Sequence, residues 1–408
     1  MTTRRLLAPI LSAALVACSQ GADQPPLVSQ AAITPPSGEG SAEPNLSVDA
    51  MGRIHMSWLQ RTSDSTFAMR YAVRDGSQWS EPRTLVERSD LFVNWADFPS
   101  VYATPSGRVV AHWLQRSGAG RYAYDVVMRH SADGGRTWTD PTPLNTDGVA
   151  GEHGFLSFVE AAGDSVDAIW LDGRATVGHG DHGGAMQLAT SRIGADGRFT
   201  ANTMLDTRIC DCCQTSAAVT GSGAVVVYRD RSEAEVRDIA IVRRVDGKWT
   251  EPSIVHADNW QIDACPVNGP SVAAEGNHVV VAWFTGARDT ARVHVAFSSD
   301  GGATFGAPSI VDDGQPLGRV DVELDGQGRA LVTWLERTGG EDAEVRLRAV
   351  DPSGARSPAT TIARSSAGRP AGFPRMARSG DDIVLAWTEP GTPSRIQMAE
   401  GRLTIPRR

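Results

Sequence analysis

Seven times along the chain a short apolar strand closes on an aromatic residue, and the interval hardly varies. The runs end at Trp58 (IHMSW), Trp113 (VVAHW), Trp170 (VDAIW), Tyr228 (VVVY), Trp283 (VVVAW), Trp334 (ALVTW) and Trp387 (IVLAW), in successive steps of 55, 57, 58, 55, 51 and 53 residues. One such unit cannot bury its aromatic ring alone, but stacked copies can. Each step leaves room for four short strands. The spacing therefore predicts an all-β protein, a seven-bladed β-propeller with one sheet per repeat. The 42 glycines and 23 prolines serve the many turns this requires. A net charge of −9 without a basic cluster argues against nucleic acid as a partner.

Within a repeat an inner strand comes first, as at Pro99-Ser100-Val101 or Pro270-Ser271-Val272. The anchor strand follows, then a third strand (VHVAF, 293–297; EVRLRAV, 344–350) and a short outer one (PSIV, 252–255 and 308–311). The turn between third and fourth strands reads Ser131-Ala-Asp133-Gly-Gly-Arg-Thr137-Trp138 in repeat two and Ser298-Ser-Asp300-Gly-Gly-Ala-Thr304-Phe305 in repeat five. Weaker copies include Asp75-Gly76, Asp196-Gly197 and Asp246-Gly247. An Asp here caps backbone N–H groups while Gly takes the left-handed position. The motif resembles the Asp-box of the sialidase-like, BNR-repeat propellers. That resemblance covers about residues 43–408 and implies their fold, in which such boxes are structural. Sialidases have six blades, so a six-bladed ring is the alternative to the seven counted from the anchors. Repeat seven has a third strand (RIQMAEG, 395–401) but little chain left for a fourth. Leu27 to Thr34 is expected to supply it and close the ring.

The first residues read as an export signal. Arg4 and Arg5 precede a short apolar stretch, Leu6 to Val16. Leu15-Val16-Ala17-Cys18 resembles the bacterial lipobox, which implies lipid on Cys18 and anchoring in the cell envelope; Ser19 fits the outer membrane. The expected organisation is a signal peptide (1–17), a lipidated tether with the closing strand (18–42) and the propeller (43–408), as a monomer.

Three features map to the face where the loops leading into each inner strand emerge. Cys210, Cys212, Cys213 and Cys265 are confined to two such segments. Cys210 and Cys265 each lie 18 residues before their anchors, Tyr228 and Trp283, hence on equivalent places of adjacent blades. They are read either as disulfides or as a thiolate site for zinc or copper with histidine help. The second feature is the histidine set: His179 and His182 in an insertion of repeat three, with Asp181, and His153 with Glu152 just before that blade's inner strand. The third is an arginine after nearly every anchor: Arg61, Arg116, Arg174, Arg231, Arg288 and Arg337. Arg174, Arg231, Arg288 and Arg337 are read as blade-to-blade ion pairs or as a cationic mouth for an anionic small molecule or glycan. Asp172, Asp230 and Glu336, two residues past their anchors, are candidate catalytic carboxylates together with Asp97.

The sialidase catalytic set is incomplete. The family's Arg-Ile-Pro is absent, and no tyrosine follows Tyr228. The expected function is ligand or metal binding at an axial mouth lined by Cys, His and Arg. The alternatives are a glycoside hydrolase with a non-standard catalytic set and a protein-interaction propeller.

Overall fold

The computed structural model describes residues 24–177 and 184–404. Cys18, His179 and His182 therefore lie outside the described residues. The strands form seven antiparallel sheets of four or five strands, taken in sequence order around the ring. Blade one is built on Ser41–Val48, Ile54–Arg61 and Phe67–Asp75. Blade two has Ser100–Ala103 innermost, blade three His153–Ala161, blade four Ser216–Thr220, blade five Ser271–Glu275 and blade six Pro316–Leu324. Blade seven runs Arg375–Ser379, Asp382–Glu389 and Arg395–Leu403, and its outer strand is the N-terminal Leu27–Ile33. That strand pairs antiparallel from Leu27 opposite Leu403 to Ile33 opposite Met398. The ring is thus closed by both ends of the chain, and the last blade has its full four strands.

The anchors explain why the repeat is legible. Trp58, Trp113, Trp170, Tyr228, Trp283 and Trp334 are at most 1% exposed. Each anchor strand is flanked by apolar residues on both faces because neighbouring blades cover it on both sides. Trp283, for example, packs with Val225, Val227 and Ile241 of blade four and Val281 of its own strand.

The turn motifs fold as their residue types require. Asp133 Oδ1 accepts from the backbone N–H groups of Arg136 (3.0 Å) and Thr137 (2.8 Å), and Oδ2 accepts from the Thr137 hydroxyl (2.8 Å). Asp300 does the same for Thr304, at 2.9 Å and 2.6 Å. Gly135 has φ +81°, and a Cβ there would stand 3.0 Å from the Tyr71 ring of blade one, so glycine is needed on both counts. Trp138 then sets its edge against Tyr71, with ring centroids 6.1 Å apart.

On the face where the lead-in loops emerge, the axis is not an open mouth. The loop into blade two carries Trp95, Ala96, Asp97 and Phe98 across the ring. Asp97 Oδ2 accepts from Phe155 N of blade three (2.8 Å), and the Ala96 carbonyl accepts from Gln214 of blade four (2.6 Å). Trp95 stacks on Phe373 of blade seven at 5.9 Å and lies under the Arg319 guanidinium of blade six at 4.8 Å. A loop of blade two that touches blades three, four, six and seven must span the centre. The expected axial mouth is therefore corrected to a plug. Sequence analysis missed it, because four unrelated long-range contacts leave no local pattern.

Candidate functional site

The segment leading into blade four turns sharply after Ile209. The Cys210 N–H donates to the Arg229 carbonyl (3.0 Å), which ties the segment to its own anchor strand. The turn brings three thiols together. Cys210 Sγ lies 3.4 Å from Cys213 Sγ and 3.9 Å from Cys212 Sγ, and all three sulfurs are within 4.8 Å of one another. Cys210 and Cys213 are buried and Cys212 is half-buried. Cys265, from the segment leading into blade five, is exposed and stands outside this group. The equal spacing of Cys210 and Cys265 from their anchors corresponds to lead-in segments of adjacent blades. The expected disulfides are not formed: an S–S bond is about 2.05 Å, and the cysteines are free.

Buried cations face this cluster. Arg237 Nη1 donates to Cys210 Sγ at 3.2 Å and Nη2 to Glu235 at 2.7 Å. Arg229, 1% exposed, spends its guanidinium on the carbonyls of Asn268, Arg237 and Phe284 at 2.6–3.0 Å and lies over Trp260 at 4.9 Å. It has no ion pair among the described residues. A buried charge without a counter-ion is costly, so a neighbouring anion is favoured. The Cys210 thiol is accordingly held well below its ordinary value, first by hydrogen bonds from Cys212 and Cys213 and then by Arg229. Burial pushes the Cys213 thiol up. Gln214 pins the turn from behind: its amide reaches the plug at Ala96, and its Oε1 accepts from Gly269 N of blade five (2.9 Å).

The other sites named from sequence are placed elsewhere or are already engaged. His153 does not join the cysteines. Its ring, 0% exposed, lies 3.2 Å from the Tyr124 carbonyl and 3.0 Å from Asp147, with Asp172 at 3.7 Å. Asp147, His153 and Asp172 also have ligand atoms within 4.8 Å, but Arg174 already fills the role of a cation there. Arg174 contacts Asp172 in bidentate fashion (Nε–Oδ1 and Nη2–Oδ2, both 2.7 Å) and Asp147 at 3.1 Å. Although burial opposes ionisation of Asp172, Arg174 and His153 hold it below the usual carboxylate range.

Two of the four candidate carboxylates are engaged by their own anchors. Asp172 accepts from the Trp170 indole N–H (3.0 Å) and Glu336 from that of Trp334 (2.6 Å). A buried indole N–H needs an acceptor, and the position two residues on supplies it. Gln60 does the same for Trp58 at 3.3 Å. Tyr228 has no such N–H and donates instead to Asp206 (2.6 Å). Asp230 is left free of that duty, pushed up to about 6 by burial with Asp206 and Asp238 beside it.

The arginines do not converge into a cationic mouth. Arg231 is paired with Glu235 (2.8 Å) and Asp211 (3.0 Å), Arg174 as above, and Arg337 donates to the Gly340 carbonyl of its own turn. Arg288 is exposed on a left-handed turn residue, φ +56°.

One acidic group was undervalued by sequence analysis. Tyr124, 0% exposed, donates to Glu152 at 2.8 Å. Burial, with Asp211 nearby, pushes Glu152 up to about 7. Burial pushes Asp97, in the plug itself, up to about 8. Their signal in the sequence is only a carboxylate ahead of each inner strand.

No protein-family profile matches the chain, and no curated protein is significantly similar to it. Solved structures are similar in fold. A protein of unknown function from Dyadobacter fermentans aligns over 93% of this chain and 99% of its own, at 13% identity and a TM-score of 0.53. An ulvan lyase of a polysaccharide lyase family aligns over 90% and 95%, at 10% identity and a TM-score of 0.54. A mutant NanB sialidase from Streptococcus pneumoniae aligns over 86% and 84%, at 10% identity and a TM-score of 0.48. At these identities the likeness speaks to the fold alone, and the strand order gives that fold: the chain is a seven-bladed β-propeller.

Proposed function

We propose that this propeller is a metal-binding protein whose site is the thiolate trio Cys210, Cys212 and Cys213, beside the plug and facing blade five. The observation that carries this reading is the mutual approach of three sulfurs within 4.8 Å beside two buried arginines. Thiols bind metal as thiolates, so a site must favour the anion before the ion arrives. Arg229 and Arg237 do so here without occupying the space between the sulfurs. Thiolate donors select soft or borderline ions, copper(I) and zinc among them. The lipobox-like Leu15 to Cys18 supports export and lipid anchoring at the bacterial envelope. In an oxidising compartment free thiols tend toward disulfides, and a bound metal is one way to keep them reduced.

The test is elemental analysis of protein purified anaerobically and loaded with zinc or copper(I). About one metal per chain is expected, lost in Cys210→Ser and Cys213→Ser. A metal-free protein, or one whose metal survives both substitutions, would overturn the reading.

A further inference from the structure

The four thiols differ in exposure in a graded way. Cys265 is exposed, Cys212 is half-buried, and Cys210 and Cys213 are buried. Cys212 and Cys213 both lie against Cys210, and Cys265 leads into the adjacent blade shortly before Asn268, whose carbonyl accepts from Arg229. Cys265 stands outside the group whose sulfurs all lie within 4.8 Å of one another. The buried end is rigid. Gln214 is clamped between the plug and blade five, and Cys210 is held through its N–H and by Arg237. The exposed end sits on the surface run Asp263-Ala264-Cys265.

Resting on the thiolate reading above, we infer that the resident ion is copper(I), held by three sulfurs, and that Cys265 is the thiol through which it enters. Cys210 Sγ lies 3.4 Å and 3.9 Å from the other two sulfurs and all three are within 4.8 Å of one another, which suits a three-coordinate ion centred among them. Zinc favours a closed tetrahedron of four protein ligands in structural sites. Here the fourth thiol is on a different blade, outside the trio. Copper(I) accepts soft thiolate donors without needing a fourth. Passage is by ligand exchange. Cys265 gives its proton to solvent and binds copper(I) as a bond to the donor breaks. Cys212 binds next, and the ion then shifts onto Cys210 and Cys213; each thiol still protonated gives its proton to solvent as its sulfur binds, and Cys265 takes one back as its bond to the ion breaks. The ion stays in the +1 state throughout, so no oxidant or reductant is consumed. The donor is a copper(I) complex able to meet an exposed thiol.

The experiment presents copper(I) as its bathocuproine disulfonate complex to the reduced protein, without oxygen, and follows loss of that complex with time. Wild type should withdraw one equivalent per chain. Cys265→Ser should reach the same final occupancy, with uptake slowed at least about tenfold, the scale of losing a supporting group at a metal site. Cys213→Ser should fail to hold the ion. Cys265 is exposed, so its variant should melt like wild type. The inference is overturned if Cys265→Ser loses final occupancy as Cys213→Ser does, because Cys265 is then a resident ligand. It is also overturned if uptake is as fast as in wild type. If zinc binds through all four cysteines and copper(I) is refused, the inference fails while the thiolate site stands. If neither metal binds, both fail.

Discussion

Blades three and four each present three ligand-type side chains within 4.8 Å: Asp147, His153 and Asp172 at one, Cys210, Cys212 and Cys213 at the other. By spacing alone the two trios look equally suited to a metal. Their surroundings separate them. On blade three a guanidinium lies among the donors: Arg174 grips Asp172 with two bonds and reaches Asp147, and His153 completes the set through the Tyr124 carbonyl. That trio is neutralised from within. On blade four no guanidinium among the described residues bridges the donors. Arg237 touches only Cys210 among the sulfurs, and Arg229 spends its donors on carbonyls. The positive charge there favours an anionic cluster without filling it. What distinguishes a binding site from an ion-pair network is where the compensating charge sits, not how closely the donors approach.

The largest expected effect tests this separation directly. Cys213→Ser should lower metal affinity by more than about a hundredfold, beyond the usual cost of losing a mere supporting group, whereas His153→Gln should leave metal content unchanged, as read by elemental analysis. Equal losses from the two would merge the trios into one site and break the comparison.

Next in size is the converse on blade three. Arg174→Ala strands the fully buried Asp172, and should cost about 3 kcal/mol of unfolding free energy in denaturant titration while metal binding is kept. A stability change near zero would mean the pair is not the keystone of that trio.

A pH dependence sharpens the blade-three side further. Folded Asp97 is protonated up to about pH 8, whereas its ordinary value is 3.8. Between those values the folded state binds the extra proton, so this group makes stability fall as pH rises, with the loss complete above about pH 8. Glu152, raised to about 7, acts in the same direction. Asp97→Asn keeps an acceptor for Phe155 N and removes the titration. Its stability should therefore vary less with pH, and the variant should gain on wild type at pH 9. A variant as pH-sensitive as wild type would assign the effect elsewhere.

The smallest effect concerns a residue read from sequence as catalytic. Glu336→Gln keeps an acceptor for the Trp334 indole and should change stability by less than about 1 kcal/mol, whereas Glu336→Ala strands the N–H and should cost about 2 kcal/mol.

These cases mark what the sequence could and could not convey. The anchors are periodic because every blade buries the same ring in the same place, so blade number and the closing strand Leu27–Ile33 were legible. The cysteines were legible as lying on lead-in segments of adjacent blades because their distance to the anchor is preserved. The carboxylates two residues past Trp170 and Trp334 were equally regular and were misread, because regularity does not say which group an acceptor serves. His153 was assigned to the cysteines from its place on the adjoining blade, but its ring orientation is set by Tyr124 and Asp147, which spacing does not encode. The plug at Trp95 rests on contacts across the ring and the Tyr124–Glu152 pair on one between adjacent blades, with no repeat to announce either.

The central claim is that the thiols of blade four, and not the charged trio of blade three, hold a metal. X-ray absorption at the metal edge of the loaded protein tests it most directly. The account predicts a first shell of three sulfur atoms with no nitrogen or oxygen ligand, unchanged in His153→Gln. A shell containing imidazole or carboxylate donors, or a spectrum indistinguishable from that of free ion in buffer, would contradict it.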